Sequence, residues 1–338
     1  LAIDVLYKTD FEKRRGDIML NEANIIANLK KAFPEHIGDD GAVIPGPGEE
    51  RYVITKDILV EDVHFRLSYF DPSSLAYKAL QVNLSDIAAM GATPKFVLLG
   101  ISIPQNYARY VTDLLYYFSE HIKKAGLLLI GGDTTKSPDK LFFSITVIGS
   151  AAPENIKYRD TAKVGDVICV AGNLGKAHLG LIACEGAMNG FNEYKQAFLC
   201  PTAKLYEGKW LGEQLAVTSM MDSSDGLVLD LKRLCEVSHV AGRVDLEKLS
   251  PTPLFNSDCQ ALGLDPINVM LTGGEDYGLL FTVANKKYGE LSKEFMNIFG
   301  YELKQIGQIM PGSDVTFSKN GQRKILNLKP FSHFGEVL

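Results

Sequence analysis

Apolar positions along this chain of 338 residues follow two alternating rhythms. Short apolar runs at 53–54, 96–103, 127–130 and 141–148 read as strands. Between the first two, Leu75, Ala79 and Val82, with Leu80, Leu84 and Ile87, recur at helical spacing and predict a helix over 73–90. Asp71 and Pro72 supply its N-cap and first-turn proline, and Gly91 its stop. A second helix is predicted over 107–124, ending at Gly126. Small and polar residues interrupt the periodicity over 149–166, which marks a domain boundary. Beyond it the pattern predicts strands at 167–171, 215–221 and 279–283, helices at 176–188 and 227–237, and a small mixed tail. Interleaved strands and helices on both sides of the boundary predict two α/β domains, built as α+β layers.

Composition narrows the class. Lys plus Arg number 35 and Asp plus Glu 41, a formal charge of −6, without the basic blocks of a nucleic-acid or anionic-lipid binder. No apolar run is long enough to span a membrane. The cysteines, five in number and scattered (Cys169, Cys184, Cys200, Cys235, Cys259), make no zinc-type cluster and read as buried thiols of a cytoplasmic protein. A start-like stretch, MLNEANIIANL, arrives at Met19. Residues 1–18 therefore read as an extension of no assigned function, followed by domains over 19–152 and 153–338.

The chemistry lies in six acidic motifs: GDDGAV (38–43), TKDILVEDVHF (55–65), NLSDIAAMG (83–91), GGDTTKS (131–137), MMDSSDGL (220–227) and GGEDYG (273–278). Each sets Asp or Glu at the edge of an apolar run, in all but the second directly beside Gly, Ser or Thr. Any one of them could be turn or capping chemistry. Six together suggest carboxylates converging on one cleft, where their repulsion calls for cations. Hard oxygen donors without Cys or His point to Mg²⁺, which is commonly shared with substrate phosphates. Asp86 stands out because it lies inside a helix, on one face with Asn83 and Met90, where turn chemistry does not explain it. The P-loop, dinucleotide-binding and nucleophile-elbow patterns are absent; VAGNLGKAH reads as a strand-to-helix turn. In MMDSSDGL, Asp222 ends a strand while Ser224, Asp225 and Gly226 open a helix whose amides suit a phosphate. Asp39, Glu61, Asp62, Asp230 and Asp276 are left outside the ligand set, with Asp230 and Lys232 read as exposed helix charges. Tyr77, Tyr116, Tyr117 and Trp210 are expected to pack.

In their order and spacing, these motifs and the ending KPFSHF resemble thiamine-monophosphate kinases, within the superfamily of aminoimidazole ribonucleotide synthetase. The resemblance implies a two-domain fold of that superfamily, with N-terminal domains pairing across a homodimer. It implies direct transfer of the γ-phosphoryl of ATP to thiamine monophosphate, the last step of thiamine diphosphate biosynthesis, with several Mg²⁺ ions. Matched residue by residue, it implies Asp40, Thr55, Asp57, Asp86, Asp133, Asp222 and Asp225 as metal ligands. Gly132, Asp133, Arg159 and Ser224 are implied to meet ATP, and His64 and Glu275 the thiamine substrate.

The residues alone leave other readings open: a solvated surface charge for Arg159, a packed histidine for His64, a cap for Glu275. Lys56 stands where the family usually has Thr, and Leu328 where many members carry an aromatic; Lys56 could reach a phosphate, and Phe331 could supply the stacking. Two alternatives to the kinase are another ATP-dependent synthetase of the superfamily and a nucleotide-binding partner protein without turnover. An acceptor that is already a phosphate monoester needs no covalent nucleophile, so no phosphoenzyme is expected.

Overall fold

The computed structural model describes residues 22–33 and 37–328. The chain divides into two units, residues 1–38 with 332–338, and residues 39–331. The described part of the first is helix α1 (Glu22–Ala32), with Lys30 and Lys31 in its last turn, where cations complement the helix dipole. Everything below belongs to the second unit.

Its N-terminal half runs β1 (Ala42–Pro45), β2 (Arg51–Val60), α2 (Pro72–Ala89), β3 (Thr93–Pro104), α3 (Ala108–Lys124), β4 (Leu128–Ser137) and β5 (Phe142–Ala151). The strands form one sheet of order β1-β2-β5-β3-β4, antiparallel except for β3 with β4. Alternation sends Val53 and Leu59, Val97 and Leu99, and Phe143, Ile145 and Val147 into one core with Leu75, Leu80, Leu84 and Ile87 of α2. The Asp71 carboxylate accepts the Ser73 and Ser74 N–H groups at 2.8 and 2.9 Å, as the cap pattern predicts.

The C-terminal half runs β6 (Val167–Ala171), α4 (Lys176–Glu185), α5 (Asn192–Leu199), α6 (Leu205–Gly212), β7 (Val217–Ser223), α7 (Leu227–Val237), β8 (Ala241–Asp245), α8 (Pro253–Ala261), α9 (Pro266–Thr272), β9 (Gly278–Val283), α10 (Tyr288–Phe299), β10 (Lys304–Met310), β11 (Val315–Lys319) and β12 (Gln322–Lys324). Its seven strands take the order β12-β11-β8-β10-β6-β9-β7. Residues of β6 alternate between two cores. Ile168 and Val170 join one, with Leu231 and Leu280; Val167, Cys169 and Ala171 join the other, with Phe281 and Phe295. A strand covered on both faces reads as a continuous apolar run, which is why VICVA is legible.

Helix α2 ties the halves together. It packs on β2, β3, β5 and α3 on one side and on α6 and β7 on the other. A Cβ at Gly208 of α6 would lie 2.2 Å from the Ala88 carbonyl oxygen, so glycine sets that close approach.

Some elements differ from the pattern. β4 runs on through GGDTTKS, so Asp133 lies within a strand and not at its end. Pairing with β3 draws the polar segment into the ladder, and a Cβ at Gly132 would lie 1.9 Å from the Leu99 carbonyl oxygen. Asp57 likewise lies inside β2. Trp210 packs on Phe295 and Phe299, and Tyr77 on His121. Tyr116 and Tyr117 meet edge-on but stay exposed, because Val111, Leu114, Phe118 and Ile122 form the buried stripe of α3.

Asp71→Ala removes the two cap hydrogen bonds of α2 and should destabilise the protein by about 1 kcal/mol. Urea midpoints at unchanged slope measure this; an unchanged midpoint would show the cap to be dispensable.

Candidate functional site

Three chain segments deliver carboxylates to one point. Asp40 precedes β1, Asp86 lies in the last turn of α2, and Asp222 is the penultimate residue of β7. One oxygen from each lies within 4.8 Å of the other two. Burial raises all three acids above the usual carboxylate range; their neighbours' charges add to this for Asp86 and Asp222, whereas Arg159 opposes it at Asp40. Burial, then the charges of Asp40 and Asp225, pushes Asp57 up to about 6.

The surrounding groups hold these acids in place. Ser85 donates its hydroxyl to Asp222 Oδ2 at 2.9 Å. The Asn83 carboxamide accepts the Asp57 N–H at 3.1 Å, while the Thr55 hydroxyl donates to the Asn83 carbonyl at 3.3 Å. The Thr55 oxygen predicted as a ligand is thus engaged in tying β2 to α2. Arg159 is only 16% exposed, which removes the surface-charge reading. Its guanidinium pairs with Asp40, its Nε lies 3.5 Å from Asp39, and its N–H donates to Asp39 at 3.1 Å. Burial, followed by the Asp40 charge, pushes Asp39 up to about 7.

Two segments close the other side. Glu275 and Tyr277 donate their N–H groups to the Ser224 and Ser223 carbonyls at 2.7 and 3.0 Å, stitching GGEDYG to MMDSSDGL. Both adopt left-handed backbone, with φ of 67° and 48°. Such conformations are costly outside glycine and concentrate at functional sites. Asp276 turns the other way and accepts N–H groups of Gly175 and Ala177 at the start of α4, so it is structural.

Asp230 corrects the sequence reading. It is fully buried and not an exposed helix charge: Oδ2 accepts the Ser223 hydroxyl at 3.1 Å, and Oδ1 lies 3.7 Å from Arg233. Burial and the Asp225 charge push it up to about 8. Arg233 also pairs with Asp225. Neither role was visible in sequence, because DLKR has the spacing of any surface ion pair.

Other predicted residues lie apart from the three acids. Asp57, Ile145, Leu99 and Gly132 are aligned across β2, β5, β3 and β4. Gly132 is thus three strand spacings, about 14 Å, from Asp57. Asp133 aligns with Gly100 and Ser144 and by alternation takes the opposite face from Asp57. Within one chain it does not join the cluster. Lys56 takes that opposite face too, donating to Ser144 at 2.7 Å and turning away from the acids. His64 accepts the Val60 N–H on Nδ1 at 3.1 Å, which leaves the proton of its neutral ring on Nε2. Leu328 packs against the C-terminal core, and Phe331 lies outside the described residues.

Residues 38–151 match the AIR synthase related protein, N-terminal domain, and residues 163–320 its C-terminal domain. The chain is 32% identical to the thiamine-monophosphate kinase of Bacillus subtilis (strain 168) over 307 residues, covering 88% of this chain and 93% of that protein. It belongs to the thiamine-monophosphate kinase family. Among solved structures, AaThiL complexed with AMPPCP and TMP superposes with a TM-score of 0.81 at 29% identity, covering 93% of this chain and 97% of the other. The thiamine monophosphate kinase of Aquifex aeolicus gives 0.75 at 27% identity, covering 89% and 97%. No helix of the described residues is long and apolar enough to cross a membrane.

The donor set suits a hard cation. The acids supply oxygen alone, and Asp40 Oδ2 is buried without a hydrogen-bond partner among the described residues. The raised Asp39 and Asp57 carboxyls mean that the folded protein binds protons that the unfolded chain releases near pH 4. Their contribution to stability is greatest below about pH 4 and is lost as pH rises through about 6 to 7. Without divalent cations the melting temperature should therefore be lower at pH 8 than at pH 5.5. Mg²⁺ should raise it more at pH 8, and calorimetric titration should detect proton release. Equal Mg²⁺ stabilisation at both pH values, without proton release, would contradict this account.

Proposed function

We propose that the protein transfers the γ-phosphoryl group of ATP to the phosphate of thiamine monophosphate, giving thiamine diphosphate and ADP. The observation that carries this reading is the convergence of Asp40, Asp86 and Asp222 from three distant segments, in a chain of this family. These acids, with Asp57 and Asp225, would hold Mg²⁺, with Thr55 as a further oxygen donor. When bound, the metal supplies neutralisation of the charge on phosphates and on the group in transfer.

The chain's own groups position two anions. Arg159 offers phosphate a fork of donors at the edge of the acids. Ser224 and the opening of α7 at Gly226 place amide N–H groups beside the carboxylates, where a helix N-terminus favours phosphate. His64 and Glu275 are assigned to the thiamine substrate. The acceptor oxygen is already ionised near neutrality, so the proposal contains no general base and no phosphoenzyme.

The active form in this reading is a cytoplasmic homodimer of two-domain chains, divided into 19–152 and 153–338. β4 is the outer strand of its sheet, and Leu128, Leu129 and Ile130 are 61, 50 and 53% exposed. A long apolar edge of this kind invites pairing with a second copy. Gly132 and Asp133 lie on the same strand and would then be offered to the partner's nucleotide and its metal rather than to the acids of their own chain. Free, mostly buried thiols fit a reducing compartment.

Chromatography of ATP, thiamine monophosphate and Mg²⁺ after incubation with the protein should show thiamine diphosphate. Asp86→Asn should lower turnover by at least about 100-fold, the upper range for losing a group that only supports a metal ligand, while its melting temperature without Mg²⁺ is maintained or rises. Absence of product from the wild-type protein at every Mg²⁺ concentration would refute the kinase reading.

A further inference from the structure

Lys78 of α2 is 1% exposed, yet it carries a charge that burial in a helix makes costly. Its ammonium lies 3.1 Å from Glu275 Oε1 and donates to the Phe198 carbonyl at 3.2 Å. It also sits 3.9 Å from the centre of the Phe198 ring and 5.4 Å from that of Phe70. An apolar side chain would fill such a position at lower cost, so packing alone does not account for a lysine here.

Its partner points to a different role. Glu275 is 28% exposed, takes left-handed backbone, and is tied through its N–H to Ser224 beside Asp225. The lysine therefore reaches from the buried side to a carboxylate on the wall of the site. We infer that Lys78 is a positioning residue, which fixes the Glu275 carboxylate for the substrate's heterocycle and cancels its charge from behind. The faces of Phe198 and Phe70, both buried in the core, are taken by the protein's own cation. Glu275 then acts as a fixed hydrogen-bond acceptor for the amino group on the substrate's pyrimidine ring, not as a free counter-ion.

This inference rests on the proposed thiamine monophosphate site, and its test separates the two. Lys78→Met should raise KM for thiamine monophosphate at least tenfold, leaving kcat and KM for ATP within twofold. In a Glu275→Gln background the same change should have no further effect, because the lysine acts through that carboxylate. Equal losses in kcat and both KM values, or the same loss with and without Glu275, would overturn the inference. If Lys78→Met fails to fold, the wild-type protein with ¹⁵N-labelled lysine side chains decides. Its buried ammonium resonance should move in Glu275→Gln and on adding thiamine monophosphate, but not on adding inorganic phosphate. No movement overturns the positioning role. A resonance that responds to Glu275→Gln, in a protein that forms no thiamine diphosphate, would instead overturn the functional reading and leave the Lys78–Glu275 coupling intact.

Discussion

Everything in the site depends on keeping charge on a helix that has almost no access to water. Helix α2 is enclosed by the N-terminal sheet on one side and by α6 and β7 on the other, yet it carries Lys78 and Asp86. Each charge survives because another segment answers it. Glu275 and two aromatic rings answer the lysine. Arg159 is the counter-charge for the cluster that Asp86 joins. The polar residues between them are used as well, Asn83 gripping β2 and Ser85 holding Asp222. A helix of ordinary amphipathic design could not do this, since it would turn its polar face to solvent.

Much of this was legible in the chain itself. The cap at Asp71, the extent of α2 and the unexpected acid at Asp86 follow from local rules, because they concern neighbours in sequence. Asp40 and Asp222 were legible as a pattern of motifs. Asp230 was not. Its burial comes from the packing of α7 on the C-terminal sheet, and nothing in DLKR distinguishes a buried acid from an exposed one. Lys78 was missed for the same reason, since its partner is distant in sequence and its surroundings come from α5. Asp133 was misplaced because strand pairing extended β4 past the apolar run. In each case the deciding contact is long-range.

The division of labour between neighbouring acids has a common logic. In GDDGAV, Asp40 faces the cluster while Asp39 binds the Arg159 backbone. In GGEDYG, Glu275 meets Lys78 while Asp276 caps α4. In each doublet one carboxylate serves the site, while its neighbour accepts backbone N–H groups and anchors the loop that carries both. This is why doublets of acids recur where a single ligand would have sufficed.

The left-handed backbone at Glu275 and Tyr277 sets stability against fitness for the site. Glycine at either position would relax the main chain, so a search for sturdier variants would favour it. That search would strip out the two side chains for which the strain is maintained. Loops of this kind should hold their side chains only under continued selection for what those side chains do, and should drift toward glycine wherever such selection lapses.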